Sequence, residues 1–184
     1  MKAQVILSEC GIIVISNGKT ISLDPKSHNN CDLAFVSHAH TDHLYKKTSK
    51  NSNNIAQTLV SNATSLIARA RGYKMTNVIE KYEGFHMVDS GHILGSKGLL
   101  IHNELYYTGD ISTRERAFMK PAFIPSVHTL LIESTFGRAD YLFPKVEEII
   151  HKTNKIISEM YDLGVPVILM GYPLGKAQLL TALF

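Results

Sequence analysis

Short apolar runs separated by turn residues occupy most of the chain and predict a domain rich in β-strands. Residues 11–16 and 19–23 flank Asn17-Gly18, the dipeptide most typical of a tight β-hairpin turn. A second hairpin is predicted for residues 98–102 and 104–107. Further strands are predicted at residues 33–36, 58–60 and 130–132. Helical patterns alternate with these strands, so the fold class is predicted to be α/β.

One helix is predicted for residues 63–71, with Asn62 as its N-cap and Gly72 at its end. Positive side chains near its carboxyl end complement the helix dipole. We interpret them mainly as a solvated helix end, with contact to phosphate as the alternative. These side chains are Arg69, Arg71 and Lys74, and the same alternatives apply to Lys46, Lys47 and Lys50.

The last forty residues predict two helices around a strand. Residues 144–163 place apolar side chains at helical spacing, which predicts an amphipathic helix whose apolar face joins the core. Residues 165–170 predict a buried strand. Residues 177–184 begin a helix that stops on Leu183-Phe184 without a glycine or a polar exit. We therefore expect the chain to be the amino-terminal portion of a longer protein.

Four metal-ligating side chains stand directly after the predicted strand at residues 33–36. They are His38, His40, Asp42 and His43. Ligands gather at the carboxyl ends of strands in α/β folds, and residues two apart in an extended segment can point the same way. Imidazole and carboxylate suit zinc, and three protein ligands with an open position are typical of a hydrolytic site. This pattern predicts a zinc site rather than a chance group of surface histidines.

Further candidate residues follow other predicted elements. His92 lies between Gly91 and Gly95, where the backbone can approach an ion or substrate closely. Asp110 follows the strand at 104–107, and Glu133 follows the strand at 130–132. Asp24 ends the first hairpin, where a carboxylate can orient a ligand imidazole. A plain turn aspartate before Pro25 is the alternative.

The ordered set of these residues resembles the metallo-β-lactamase superfamily of binuclear metal hydrolases. The set is Asp24, His38-x-His40-x-Asp42-His43, His92 and Asp110. Residues 132–137 (Ile-Glu-Ser-Thr-Phe-Gly) and 171–178 (Gly-Tyr-Pro-Leu-Gly-Lys-Ala-Gln) resemble its β-CASP branch, which contains RNA-processing endonucleases, ribonucleases and DNA repair exonucleases. The resemblance implies an incomplete αββα metallo-β-lactamase sandwich in residues 1–170. It also implies the truncated start of a β-CASP cap domain in residues 171–184.

The resemblance also implies roles for individual residues. His38, His40 and His92 would hold one zinc ion, Asp42 and His43 a second, and Asp110 would bridge the two. Asp24 would orient the metal-binding loop. Catalytic roles are implied for Asp42, Asp110 and Glu133. Glu133 would position a cap histidine that, like the histidine completing the second metal site, belongs to a part of the family fold outside these residues.

The implied function is a zinc-dependent nuclease that hydrolyses RNA phosphodiester bonds, as in mRNA 3′-end processing factors. A DNA exonuclease of the same branch is one alternative, because residues 135–137, Tyr141, Pro144 and 174–176 are similar to ligase-associated exonucleases. A thioesterase or lactamase type of hydrolase and a catalytically inactive fragment are the others. Glu133 and residues 175–178 argue against the small-molecule enzyme.

Composition adds only broad limits. Apolar residues make up 45% and charged residues 19%, which is ordinary globular usage, and the net charge of +3 is compatible with a nucleic-acid partner. The resemblance implies RNA as the partner before DNA. The two cysteines form no disulfide framework, and we expect a cytoplasmic protein. No run is long and apolar enough for a membrane span. Apolar faces left open by an absent cap domain predict a homodimer.

Overall fold

The computed structural model describes residues 3–27, 30–45 and 56–184, and these form a mixed α/β protein with two β-sheets and three helices. The α/β prediction is therefore confirmed. The chain divides into two compact units. The first comprises Met1–Glu115 and Met119–Glu133, and the second comprises Arg116–Phe118 and Ser134–Phe184. Lys46, Lys47 and Lys50 lie outside the described residues.

A six-stranded sheet begins the first unit. Its strands, in spatial order, are β1 (Gln4–Ser8), β2 (Gly11–Ser16), β3 (Lys19–Leu23), β4 (Leu33–Phe35), β5 (Gln57–Leu59) and β6 (Val78–Ile79). The β1, β2 and β3 strands are antiparallel neighbours, whereas β3 to β6 run parallel. Asn17 and Gly18 have φ of 48° and 74°, as a tight hairpin turn of this type requires. The predicted first hairpin is confirmed.

A four-stranded sheet completes the first unit. Its strands are β7 (Phe85–Asp89), β8 (Lys97–Ile101), β9 (Leu105–Tyr107) and β10 (Thr129–Leu131), in the spatial order β10-β9-β8-β7. The β8–β9 hairpin turns through His102 and Asn103, both at positive φ, which confirms the second predicted hairpin. The β10 strand pairs parallel to β9.

The two sheets share one hydrophobic core. Its buried residues are Val14, Ile21, Leu23, Leu33, Phe35 and Leu59 from the first sheet, and Phe85, Leu99, Ile101, Leu105 and Tyr107 from the second. Phe35 ends β4 and Tyr107 ends β9, and their rings meet edge to face with centroids 6.3 Å apart. The carboxyl ends of these two strands are therefore neighbours, so the loops that follow them can meet.

The predicted first helix is confirmed as α1 (Asn62–Ala70). Its N-cap is Ser61 rather than Asn62, because the Ser61 hydroxyl accepts a hydrogen bond from the backbone N–H of Thr64 at 3.1 Å. The backbone N–H of Asn62 instead donates to Glu80 Oε1 at 2.8 Å. Ser61 and Asn62 are both residue types that commonly cap helices, and the first of the two, Ser61, is the N-cap.

The second unit contains α2 (Val146–Asp162) and α3 (Lys176–Leu183), which confirms both predicted helices. Neither helix has a buried residue, so the prediction that the apolar face of α2 joins a core is wrong. The strand predicted at residues 165–170 is also wrong, since this segment is irregular and Ile168 and Met170 are 80% and 87% exposed. A strand needs a partner, and the part of this unit that the structure describes contains none.

Both cysteines are free thiols. Among residues 3–27, 30–45 and 56–184, no helix combines the length and apolar character required to cross a bilayer. The domain boundary predicted at residue 170 stays a prediction.

Candidate metal centre

Loops that leave the carboxyl ends of β4, β7 and β9 bring the candidate ligands together. His38, His40 and His43 follow β4, His92 follows β7, and Asp110 follows β9. The two sheets share a core beneath these strand ends, so residues more than fifty positions apart in the chain meet here. The ring centroid of His38 lies 4.7 Å from that of His40 and 4.9 Å from that of His92.

Four of these side chains converge on one point. Their ligand atoms, one each from His38, His40, His92 and Asp110, all lie within 4.8 Å of one another. His40 Nδ1 is 3.0 Å from His38 Nε2 and 3.2 Å from His92 Nε2. Asp110 Oδ2 is 3.6 Å from His38 Nε2 and 3.4 Å from His92 Nε2. A tetrahedral zinc ion with ligand bonds of about 2.0–2.1 Å sets its ligand atoms about 3.3–3.4 Å apart. The donor set therefore fits a zinc-sized ion.

A second set of donors lies across the Asp110 carboxylate. His43 Nε2 is 3.3 Å from Asp110 Oδ1 and 3.7 Å from Asp42 Oδ2. Asp110 thus directs one oxygen to the first set and the other oxygen to His43. The Asp42 side chain is 77% exposed, whereas His43 is 17% exposed. This second set is therefore the more open of the two.

Asp24 lies directly beneath the histidine loop and accepts four hydrogen bonds. Ser37 donates its backbone N–H to Oδ1 and its hydroxyl to Oδ2, both at 2.6 Å. His43 Nδ1 and the Tyr107 hydroxyl each lie 2.8 Å from Oδ2. Because the carboxylate accepts a hydrogen bond from Nδ1–H of His43, the Nε2 atom faces Asp110 and Asp42. The turn alternative does not account for these contacts.

Sequence reasoning missed Ser37 and Tyr107. Ser37 stands beside the histidine motif, but a serine hydroxyl at such a position carries no specific pattern. Tyr107 is 83 residues from Asp24 in the chain, and only the packing of the two sheets against each other brings them together. Asp24 has a positive φ of 41°, and its backbone N–H donates to the carbonyl of Phe35 at 2.8 Å. That bond ties the end of β3 to the end of β4.

Burial and neighbouring charges shift the pKa values of the candidate ligands. Burial is the main cause that lowers the pKa of His38, which is fully buried, so its imidazole is neutral and can coordinate an ion. Burial also lowers the pKa of His43, but hydrogen bonds to Asp110 and Asp24 outweigh it and raise that pKa to about 10. Burial raises the pKa of Asp110, and the His43 hydrogen bond and the nearby imidazoles bring it below its usual range. A metal ion at His43 would therefore displace a proton from Nε2.

The His92 loop is fixed by contacts within the protein. The Ser96 hydroxyl accepts hydrogen bonds from the backbone N–H groups of His92 and Ile93 at 3.2 and 3.1 Å. Gly91 has a φ of +68°, and a Cβ there would lie 2.6 Å from the carbonyl oxygen of Ser112. A Cβ on Gly95 would lie 2.8 Å from the backbone nitrogen of Thr64. The two glycines thus permit close approach to neighbouring backbone.

Glu133 follows β10 and reaches the segment that carries Asp110. Its Oε1 atom accepts a hydrogen bond from the backbone N–H of Ile111 at 2.9 Å. The structure therefore places all eight sequence-predicted site residues around one edge of the first unit. The role implied for Glu133, positioning a cap histidine, stays a prediction.

The fold and this cluster define the class as an α/β protein with a candidate His/Asp metal centre. No protein-family model matches the chain. The chain is 33% identical over 160 residues to a protein named Probable DNA ligase from Opitutus terrae, a match that covers 79% of this chain and 15% of that protein. It is 33% identical over 113 residues to Transcription termination factor FttA of Methanocaldococcus jannaschii, covering 58% of this chain and 18% of the factor. It is 27% identical over 177 residues to an RNase J-like protein of the same organism, covering 94% of this chain and 39% of the relative.

These relatives and the ordered site residues support the β-CASP branch of the metallo-β-lactamase superfamily at partial identity. The chain spans less than half the length of each curated relative named above.

Proposed function

We propose that this chain carries the metal centre of a zinc-dependent nuclease that hydrolyses RNA phosphodiester bonds, in the manner of mRNA 3′-end processing factors. The arrangement of donors on both sides of Asp110 is the observation that carries the proposal. The relatives named RNase J-like protein and Transcription termination factor support RNA as the substrate. We also propose that the two sheets are the inner layers of an αββα metallo-β-lactamase sandwich, which their shared core supports.

In this proposal His38, His40 and His92 hold one zinc ion, Asp42 and His43 hold a second, and Asp110 bridges them. Two bound zinc ions would lower the pKa of a coordinated water and offset the charge that develops on the phosphate. The distances of 3.4 and 3.3 Å from the two Asp110 oxygens to His92 and His43 support the bridging role. The exposed Asp42 carboxylate is open to solvent, so it can orient an attacking water.

The protein itself preorganises these ligands. Asp24 holds His43 through Nδ1, so that Nε2 is presented to the second set. The Oε1 atom of Glu133 accepts a hydrogen bond from the backbone N–H of Ile111, the residue next to Asp110. We assign Asp24 and Glu133 to positioning within this chain, and Asp42 and Asp110 to direct contact with the ions.

Cleavage of end-labelled single-stranded RNA and DNA in the presence of zinc tests the function. We expect cleavage of RNA by the unmodified chain and loss of cleavage in Asp42→Ala, because this removes the exposed carboxylate while the other ligands stay in place. Glu83→Ala is the control, because Glu83 is exposed and precedes β7, whereas His92 follows the other end of that strand. RNA cleavage that persists at the same rate in Asp42→Ala contradicts the assignment.

A DNA exonuclease of the same branch is the second candidate. The 33% identity over 160 residues to a protein named Probable DNA ligase supports DNA, rather than RNA, as the polymer that the site acts on. A metal site recognises phosphate, and discrimination between the sugars comes from contacts to the 2′-hydroxyl. The DNA arm of the same assay decides between the two candidates. Cleavage of a thioester substrate alone would favour the small-molecule hydrolase, and zinc binding without any cleavage would favour an inactive fragment.

A further inference from the structure

Helix α1 contacts both loops that carry the candidate histidines, one at each of its ends. At its amino end, Ser61 Oγ and Thr64 Oγ1 both donate to the carbonyl oxygen of Gly95, at 2.6 and 2.9 Å. At its carboxyl end, the Arg71 guanidinium donates to the carbonyl oxygen of Ala39. Gly95 belongs to the His92 loop, and Ala39 lies between His38 and His40.

The amino-end contact is close and buried. Ser61 is 7% exposed and Thr64 is fully buried, so both hydroxyl donors are committed to the His92 loop. A Cβ on Gly95 would lie 2.8 Å from the Thr64 nitrogen and 3.0 Å from Thr64 Oγ1, which means that the loop backbone packs directly on α1. The hydroxyl of Ser96, the next residue, accepts a hydrogen bond from the backbone N–H of His92. A short series of hydrogen bonds therefore connects α1 with His92.

The carboxyl-end contact differs from the sequence prediction. The sequence predicts a solvated cation at Arg71. Its side chain is exposed, but its guanidinium donates a hydrogen bond to the backbone carbonyl of Ala39 in the histidine loop. Ala39 itself is fully buried. A charged donor on a buried carbonyl makes one of the stronger classes of hydrogen bond. Arg71 thus fixes the segment in which both His38 and His40 stand.

We propose that α1 is a brace that sets the spacing between the His92 loop and the His38–His40 loop, with Thr64 and Arg71 as positioning residues for the metal ligands. The helix is a rigid spacer of about 13 Å, at 1.5 Å per residue. Metal ligands must be held within about 0.5 Å of their working geometry, and partners behind the ligands typically change metal affinity about 10–100-fold. This inference rests on the proposed metal centre.

Zinc affinity of matched variants tests the brace. Thr64→Val keeps the buried volume but removes the hydroxyl, and Arg71→Ala removes the guanidinium from an exposed side chain. We expect each to weaken zinc binding about tenfold in a chelator competition assay. Thr64→Ser should bind zinc like the unmodified chain, because it restores the hydroxyl. Arg69→Ala is the matched control for Arg71, since Arg69 lies on the same helix and its guanidinium donates to the Met75 carbonyl at 3.5 Å rather than to the histidine loop.

Amide hydrogen exchange of the metal-free protein gives a readout that does not depend on zinc. We expect Arg71→Ala to speed exchange in residues 38–43 and Thr64→Val to speed it in residues 92–96. Unchanged zinc affinity and unchanged exchange in both variants would overturn the brace. If the unmodified chain binds no zinc, the proposed metal centre fails, and the exchange data still decide whether α1 fixes the two loops.

Discussion

Two adjacent tyrosines of β9 offer a matched test of the hydrogen bonds that hold the histidine loop. Tyr107 is 9% exposed and donates its hydroxyl to Asp24 at 2.8 Å. Tyr106 is fully buried, and its hydroxyl has no hydrogen-bond partner among the described residues. Changing either to Phe removes a single oxygen and leaves the ring in place. The two variants therefore differ in one respect, the hydrogen bond to the carboxylate.

The expected effects differ in size and in sign. A hydrogen bond to a charged group contributes about 1.5–3 kcal/mol, so Tyr107→Phe should lower the free energy of unfolding by about that amount. For a chain of this size, one kcal/mol shifts Tm by about 2–4 °C, which predicts a fall of about 3–12 °C. Tyr106→Phe removes an unsatisfied buried hydroxyl and should leave Tm unchanged or raise it.

Thermal unfolding followed by circular dichroism, with urea titration as the second measurement, distinguishes the pair. Zinc affinity should also fall in Tyr107→Phe, because Asp24 loses one of the four donors that fix its position beside His43. Equal losses of stability in the two variants, or a larger loss in Tyr106→Phe, would refute the view that the Asp24 carboxylate organises this site.

Three further outcomes follow from the same geometry. His40→Ala should weaken zinc binding measured by chelator competition, since His40 Nδ1 faces both His38 and His92; unchanged metal content would contradict its assignment. Asp110→Asn should strongly reduce the cleavage rate and leave Tm nearly unchanged. A large fall in Tm with an unchanged cleavage rate would argue against a bridging ligand. Ile168→Ser should increase the soluble fraction after centrifugation because this side chain is 80% exposed, and a loss of solubility would show that it is packed in solution.

Local chemistry explains which parts of the fold could be predicted. The Asn17-Gly18 turn was predictable because its positive φ values depend on the two turn residues themselves. The convergence of His38, His40 and His92 could be anticipated from ligand chemistry and from resemblance. The strand expected at residues 165–170 could not be tested by pattern alone, because strand formation depends on a partner elsewhere in the chain.

Long-range contacts account for what the sequence did not reveal. The Tyr107 bond to Asp24 and the Arg71 bond to Ala39 join residues 83 and 32 positions apart. Neither contact has a motif, because a tyrosine in a strand and an arginine at a helix end have ordinary reasons to be there. Only the shared core of the two sheets and the position of α1 bring these pairs together. Dimerisation and a cytoplasmic location remain predictions.

A crystal structure of the chain grown with zinc, with anomalous scattering recorded on both sides of the zinc absorption edge, tests the metal centre most directly. We predict one anomalous peak about 2.0–2.1 Å from nitrogen atoms of His38, His40 and His92, and a second peak beside His43 across the Asp110 carboxylate. A zinc-loaded crystal whose only peaks lie away from these histidines would contradict the account.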